Sequence, residues 1–167
     1  MRAFGAPVER ELARSALPKS IEETPDLYVS IPIAIEWIAQ CGRDVEPMEL
    51  GVLASGHASL ESLRPAHQAS IVRAQTGFRR LEALFAIARL EDNCFRSGIR
   101  QEADQLRVFC DISYLRRHPF ICFAEWLNLQ GIIAVLRSVA GPAWYPREMT
   151  FVSRYAVPDA VRAAFPN

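Results

Sequence analysis

Thr76–Ser113, TGFRRLEALFAIARLEDNCFRSGIRQEADQLRVFCDIS, changes its hydrophobic period part-way along. In its first part Phe78, Leu81, Leu84, Phe85, Ala88 and Leu90 recur at helical spacing, with Arg79, Arg80, Glu82 and Arg89 on the other side. That is the apolar stripe of an amphipathic helix. Thr76, a residue whose hydroxyl can accept from first-turn N–H groups, is a good N-cap. The spacing predicts a helix over 77–91. The period then drops to two. CFRSGIR alternates with Phe95, Ser97 and Ile99 on one side, and QLRVFCDIS with Leu106, Val108, Cys110 and Ile112. The polar link Gln101–Gln105 between them makes the pair a hairpin. Helical and strand periods side by side in one segment place the chain in the α+β class.

On the C-terminal side, Arg116-Arg117-His118-Pro119 opens a long helix that runs to about Ala140 and is apolar nearly all round. A helix of that kind is central to a core or buried on a partner. Gly141 suits the position just past a helix end and Pro142 cannot continue one. Tyr145-Pro146 forces extended backbone, so EMTFVS, Glu148–Ser153, is predicted to be a third strand, with Trp144 anchoring the corner by burial. Pro158 and Asp159 start a last short helix. On the N-terminal side, helices are predicted at about 30–41, with Asp26 as a preceding cap or turn, at 47–54 and at 66–74, with a turn at Ser59–Leu63. Residues 1–24 read as a loosely held arm with a short helix at Glu9–Ala16 and some apolar residues to pack, among them Phe4 and Val8. Residues 25–167 read as the domain proper. The expected architecture is several helices packed on a small antiparallel sheet, the hairpin plus one further strand.

The 167 residues make about one domain, half of them hydrophobic and 23% charged, which is globular and not disordered composition. A formal net charge of zero argues against a duplex-binding module, which normally carries a basic surplus. The four cysteines form no CxxC and no zinc spacing. With no secretory signal at the start, they predict reduced thiols and a cytoplasmic protein. A Cys94–Cys110 bridge across the hairpin is the lesser alternative. Pro119–Leu136 is long enough for a membrane span, but Glu125, Asn128 and Gln130 near its middle are costly in lipid. A buried or interface helix is the expectation, with no membrane partner.

No catalytic constellation is present: no GxSxG, no Walker loop, no GxGxxG. His57, His67 and His118 are scattered and read as surface or turn residues. The chain is therefore expected not to be an enzyme, and to need no metal or cofactor. Glu125 is a lone acid in the most apolar helix. Its preferred reading is exposure to solvent or pairing with an arginine such as Arg73, and its sharper reading is a polar group in a pocket. Phe109, Tyr114, Phe120, Phe123 and Trp126 are read first as core. The alternative is an apolar ligand pocket between hairpin and long helix, with Phe109, Tyr114, Phe123, Trp126 and Glu125 as its ligand-binding residues.

The order of these pieces resembles the N-terminal regulatory domain of AraC-family transcription regulators, in the arabinose-binding-like subgroup. The residues that carry the resemblance are Thr76, Leu81 and Leu84 in the helix before the hairpin, and Gly141, Pro142, Trp144 and Pro146 at the corner. The closing Pro158…Phe165-Pro166-Asn167 and the short segment Met48-Glu49-Leu50-Gly51 match as well. The resemblance covers about residues 25–167. It implies an effector-binding, homodimerising domain of a bacterial regulator. DNA would be bound only through a C-terminal helix-turn-helix half that this chain does not contain, so the chain would be a fragment. The subgroup's name does not carry a sugar ligand over. The apolar interior favours a small apolar or aromatic effector, and the exposed part of the 119–140 helix is the expected dimer surface. The alternative is a stand-alone interaction module without a small ligand.

Overall fold

A computed structural model describes residues 1–2, 5–24, 27–56 and 59–164. The expectations for Phe4, Asp26, His57 and Phe165-Pro166-Asn167 lie outside the described residues. The element order is α1 (Val8–Arg14), α2 (Ile31–Cys41), α3 (Pro47–Ser55), a 3-10 turn at Leu60–Ser62, α4 (Pro65–Val72) and α5 (Gly77–Glu91). Then follow β1 (Arg96–Glu102), β2 (Gln105–Asp111), a 3-10 turn at Ser113–Leu115, α6 (Ile121–Ala140) and α7 (Asp159–Ala164). The fold is α+β, as the change of period implies.

Side-chain caps open α5 and α3. The Thr76 hydroxyl accepts from the Arg79 N–H at 3.3 Å and opens α5. The Glu46 carboxylate accepts from the N–H groups of Met48 and Glu49, both at 2.9 Å, with Pro47 in the first turn of α3, where a missing N–H costs nothing. α5 buries Leu81, Phe85 and Ile87 but leaves Phe78 and Leu90 exposed. It lies against both α4 and α6, so its buried arc is wider than one stripe and stops short of its ends.

β1 and β2 pair antiparallel with Glu102 opposite Gln105 and Arg96 opposite Asp111. Ala103 takes the positive φ, 54°, in the two-residue turn between them. Among the described residues the sheet has two strands. The expected third strand at 148–153 does not form, and Glu125 supplies the reason. Its carboxylate accepts from the backbone N–H of Val152 at 2.5 Å and of Ser153 at 3.3 Å, which removes the donors a ladder would use. Met149 and Phe151 pack instead against the Trp126 cluster, away from the hairpin.

α6 is the central element, with α3 on one side and α5 on another. Two apolar clusters share it. One holds Ile121, Phe123, Ala124, Ile132 and Val135 with Ile35, Leu50, Ile71, Leu81 and Phe85. The other holds Cys122 and Trp126 with Met48 and Val161. Of its large apolar residues only Leu127 and Val139 are exposed. The exposed part of the helix, where a dimer surface is expected, thus offers few large apolar side chains. The corner after it is held differently from expectation. Trp144 is only half-buried, and Arg137 does the anchoring. Its Nε donates to the Trp144 carbonyl at 2.9 Å, and its guanidinium sits 4.4 Å from the Tyr145 ring centroid.

The arm is packed more tightly than expected. Val8 and Leu17 are buried, α1 lies on α2, and buried Glu11 pairs with Arg10 at 2.8 Å. All four cysteines are free. The strand register puts Cys110 opposite Ser97, out of step with Cys94, so the alternative bridge is not made. Burial pushes the Cys110 and Cys122 thiols up to about 12 and raises that of Cys41, whereas Cys94 is exposed. Since the thiolate is the reactive form, Ellman's reagent at mildly alkaline pH is expected to label one thiol per native chain rapidly. Cys94→Ser should abolish that phase, and all remaining thiols should react only after denaturation.

Candidate functional site

A cleft with a volume of about 480 Å³ is lined by Arg116, Arg117, His118, Pro119, Ile121, Val152, Ser153, Arg154 and Tyr155. That is within the usual range for small-molecule sites. One wall is the tight chain that leads from the hairpin into α6. The N–H of Leu115 donates to the Ile112 carbonyl and that of His118 to the Leu115 carbonyl, both at 2.8 Å. Buried Ile112 and Leu115 hold this turn on the core. The other wall is the 152–155 segment, pinned to α6 by Glu125.

Every charged residue that lines the cleft is basic. Arg116 lies 3.5 Å from Asp111, at the edge. The Phe120 N–H lies 3.1 Å from His118 Nδ1, and His118 Nε2 lies 3.2 Å from a Glu36 carboxylate oxygen. The Glu36 carboxyl is held below its ordinary value, first by the Gln40 amide and then by His118. Among the described residues, the side chains of Arg117 and Arg154 have no hydrogen bond or ion pair, and the Ser153 hydroxyl, buried in the wall, has no partner either. Tyr155 adds a phenol whose pKa burial raises, so it is a neutral donor at physiological pH. Two unpaired guanidiniums over a partly apolar cleft can hold a carboxylate or phosphate with bidentate geometry. No group of His, Cys, Asp and Glu among the described residues could hold a metal.

The five residues expected to bind a ligand do not converge on this cleft. Phe109 is exposed on β2, where Arg100 stacks 5.1 Å from its ring centroid. Tyr114 donates to Asp92 at 3.2 Å. Phe123 is buried in the first cluster and Trp126 in the second. Glu125 braces the cleft wall without lining it. Glu125 is half-buried, and its carboxylate accepts from backbone N–H groups rather than pairing with Arg73. A smaller cleft of about 100 Å³, between Leu84, Phe85 and Ala88 of α5, Phe95, and Leu127 and Gly131 of α6, lies nearest the place expected for the pocket. It is well below the size of ordinary ligand sites. Two of the histidines have carboxylate neighbours: His118 meets Glu36, and His67 lies 3.7 Å from Glu91. Both partners come from remote segments.

In the sequence Arg116-Arg117-His118-Pro119 reads only as a helix opener; the cleft adds the remote 152–155 segment to it. Three cationic or ionisable side chains next to the start of a long helix were the available signal. Glu125→Ala is expected to destabilise the fold by about 1–2 kcal/mol, because a carboxylate that accepts backbone N–H groups is lost. It should also increase proteolysis within 150–155. Urea melts and limited digestion check both.

Among the described residues no helix is long and apolar enough to cross a membrane. Compared with known proteins, the chain matches no family model, no curated protein and no solved structure.

Proposed function

We propose that this chain is a cytoplasmic effector-binding and dimerisation domain of an AraC-type transcription regulator, acting on a DNA-binding half attached at its C-terminal side. The effector is a small organic acid with an apolar or aromatic body. The cleft carries this reading: Arg117 and Arg154, unpaired among the described residues, stand beside Pro119, Ile121, Val152 and Tyr155. Charge on the ligand refines the sequence-based expectation of an apolar or aromatic effector. The regulatory role is supported by the order of α5, hairpin, α6 and the Gly141-Pro142…Trp144…Pro146 corner, and by the neutral charge of a chain that need not touch DNA itself. The 116–121 turn joins the hairpin directly to the central helix, so an occupied cleft would favour one arrangement of the two. Differential affinity of that kind is what shifts a regulator's equilibrium.

Thermal melts with matched pairs of ligands test it, for example benzoate against benzamide and phenyl phosphate against phenol. Saturation a hundredfold above Kd stabilises by about 2.7 kcal/mol, roughly 5–10 °C for a domain of this size. The expected result is a concentration-dependent rise with one or more acids and none with their neutral partners, lost in Arg117→Ala and Arg154→Ala. No rise with any acid, or equal rises with neutral partners, sinks the effector reading. A reading frame beyond Asn167 that lacks two helix-turn-helix motifs sinks the regulator reading. The second reading, an interaction module without small ligand, is favoured by one observation, the open edge of β2.

A further inference from the structure

Among the described residues, β1 and β2 form a two-stranded sheet with no further strand. Such ribbons are marginal by themselves, and open edges invite pairing. The two edges are not equivalent. The Ser97 carbonyl on β1 accepts from Arg89 Nη2 of α5 at 3.0 Å, so it points away from β2 and its edge is partly covered. Opposite residues of an antiparallel ladder alternate between inward and outward bonding pairs. Ser97 faces Cys110, so Cys110, Val108 and Leu106 all direct their backbone groups out along the free edge of β2. Among the described residues, no hydrogen bond from elsewhere in the chain reaches them.

The side chains of β2 say what would fit there. Leu106 is 50% exposed and Phe109 38% exposed. Arg107, Phe109 and Asp111 share one face, and their charges are reversed about Phe109. An antiparallel pairing with a second copy, centred on Phe109, puts Phe109 opposite Phe109. It puts Arg107 of each copy opposite Asp111 of the other, and Val108 opposite Cys110, two residues that both bond outward. Moving the centre to Val108 or Cys110 keeps the bonding alternation but opposes neither charge with its complement. At present Arg107 pairs with Glu102 at 3.1 Å and Asp111 with Arg116 at 3.5 Å. Both are exposed pairs of small worth, readily exchanged. Cross-strand aromatic and opposite-charge pairs are the contacts that stabilise a sheet.

We infer that two copies of this chain join along β2 in that register, in an isologous dimer with a continuous four-stranded sheet. The inference rests on the dimerisation part of the proposed function and supplies its surface; it is independent of the effector.

Sedimentation equilibrium of the wild type, Arg107→Asp, Asp111→Arg and the double variant, from micromolar to millimolar concentration, tests it, with circular dichroism to show that each folds. The expected result is a wild-type dimer, two single variants at least tenfold weaker in association, and recovery in the double variant, where the charges are exchanged but complementary. Phe109→Cys should form an intermolecular disulfide on mild oxidation. A dimer that survives both single reversals overturns the β2 pairing and leaves dimerisation standing. A wild type that stays monomeric overturns both. A double variant as weak as the singles overturns the register.

Discussion

Replacing Trp126 by alanine is expected to cost about 3–5 kcal/mol, the range for a fully buried large aromatic. Trp126 is 0% exposed and is the largest fully buried side chain. Its ring lies 5.0 Å from that of Phe151 and closes a cluster with Met48, Cys122 and Val161. α6, α3, the 149–151 segment and α7 therefore all lose a common contact. A domain is stable by only about 5–15 kcal/mol, so the variant should unfold at much lower urea or precipitate on expression. Trp126→Phe keeps most of the volume and should fall well short of that loss. Equilibrium unfolding followed by far-ultraviolet circular dichroism measures both. A loss below about 1 kcal/mol for the alanine variant, the level of a surface change, would show that α3 and α6 are not packed as described.

The second expected result concerns the residue beneath that ring. Gly51 sits in α3, where a glycine normally costs roughly 1 kcal/mol relative to alanine. Propensity alone therefore predicts that Gly51→Ala stabilises. The packing predicts the opposite. A Cβ there would lie 2.9 Å from Trp126 Cδ1 and 3.2 Å from the Phe123 Cα. The second neighbour is backbone and cannot swing aside, so α3 and α6 would have to separate. Overpacking of this kind costs about 1–3 kcal/mol, enough to cancel or reverse the gain. Gly51→Val adds two methyls and a β-branch and should destabilise by about 3 kcal/mol. The cost for alanine should shrink when the ring is removed: a Trp126→Ala background relieves the 2.9 Å contact with Cδ1 but not the 3.2 Å contact with the Phe123 Cα. A double-mutant cycle reads that coupling directly. Additive effects would mean that the two residues do not meet.

The elements that could be read from the sequence are those whose signals are local. α5 runs from Gly77 to Glu91, as its stripe and Thr76 cap predict, and the alternating runs about 101–105 form the hairpin. What could not be read depends on contacts between remote segments. EMTFVS carries strand chemistry, yet the N–H groups of Val152 and Ser153 go to Glu125, 27 and 28 residues away. Phe123 and Trp126 are three residues apart on one helix and belong to different clusters. Their shared aromatic character, which suggested a pocket, has no common place in the fold. The basic cleft combines 116–121 with 152–155, a pairing that no periodicity encodes.

That one helix carries both clusters also bears on how the molecule opens and closes. Removing α6 would leave neither cluster with its centre, so the chain has no half that could persist while the other melts. Hydrogen exchange should therefore find the slowest amides in the middle of α6, near Trp126 to Ile133, exchanging only by global unfolding. Heat and denaturant should each give a single transition. The hairpin, with one bare edge and few buried side chains, should exchange faster, by opening locally while the helical body stays intact.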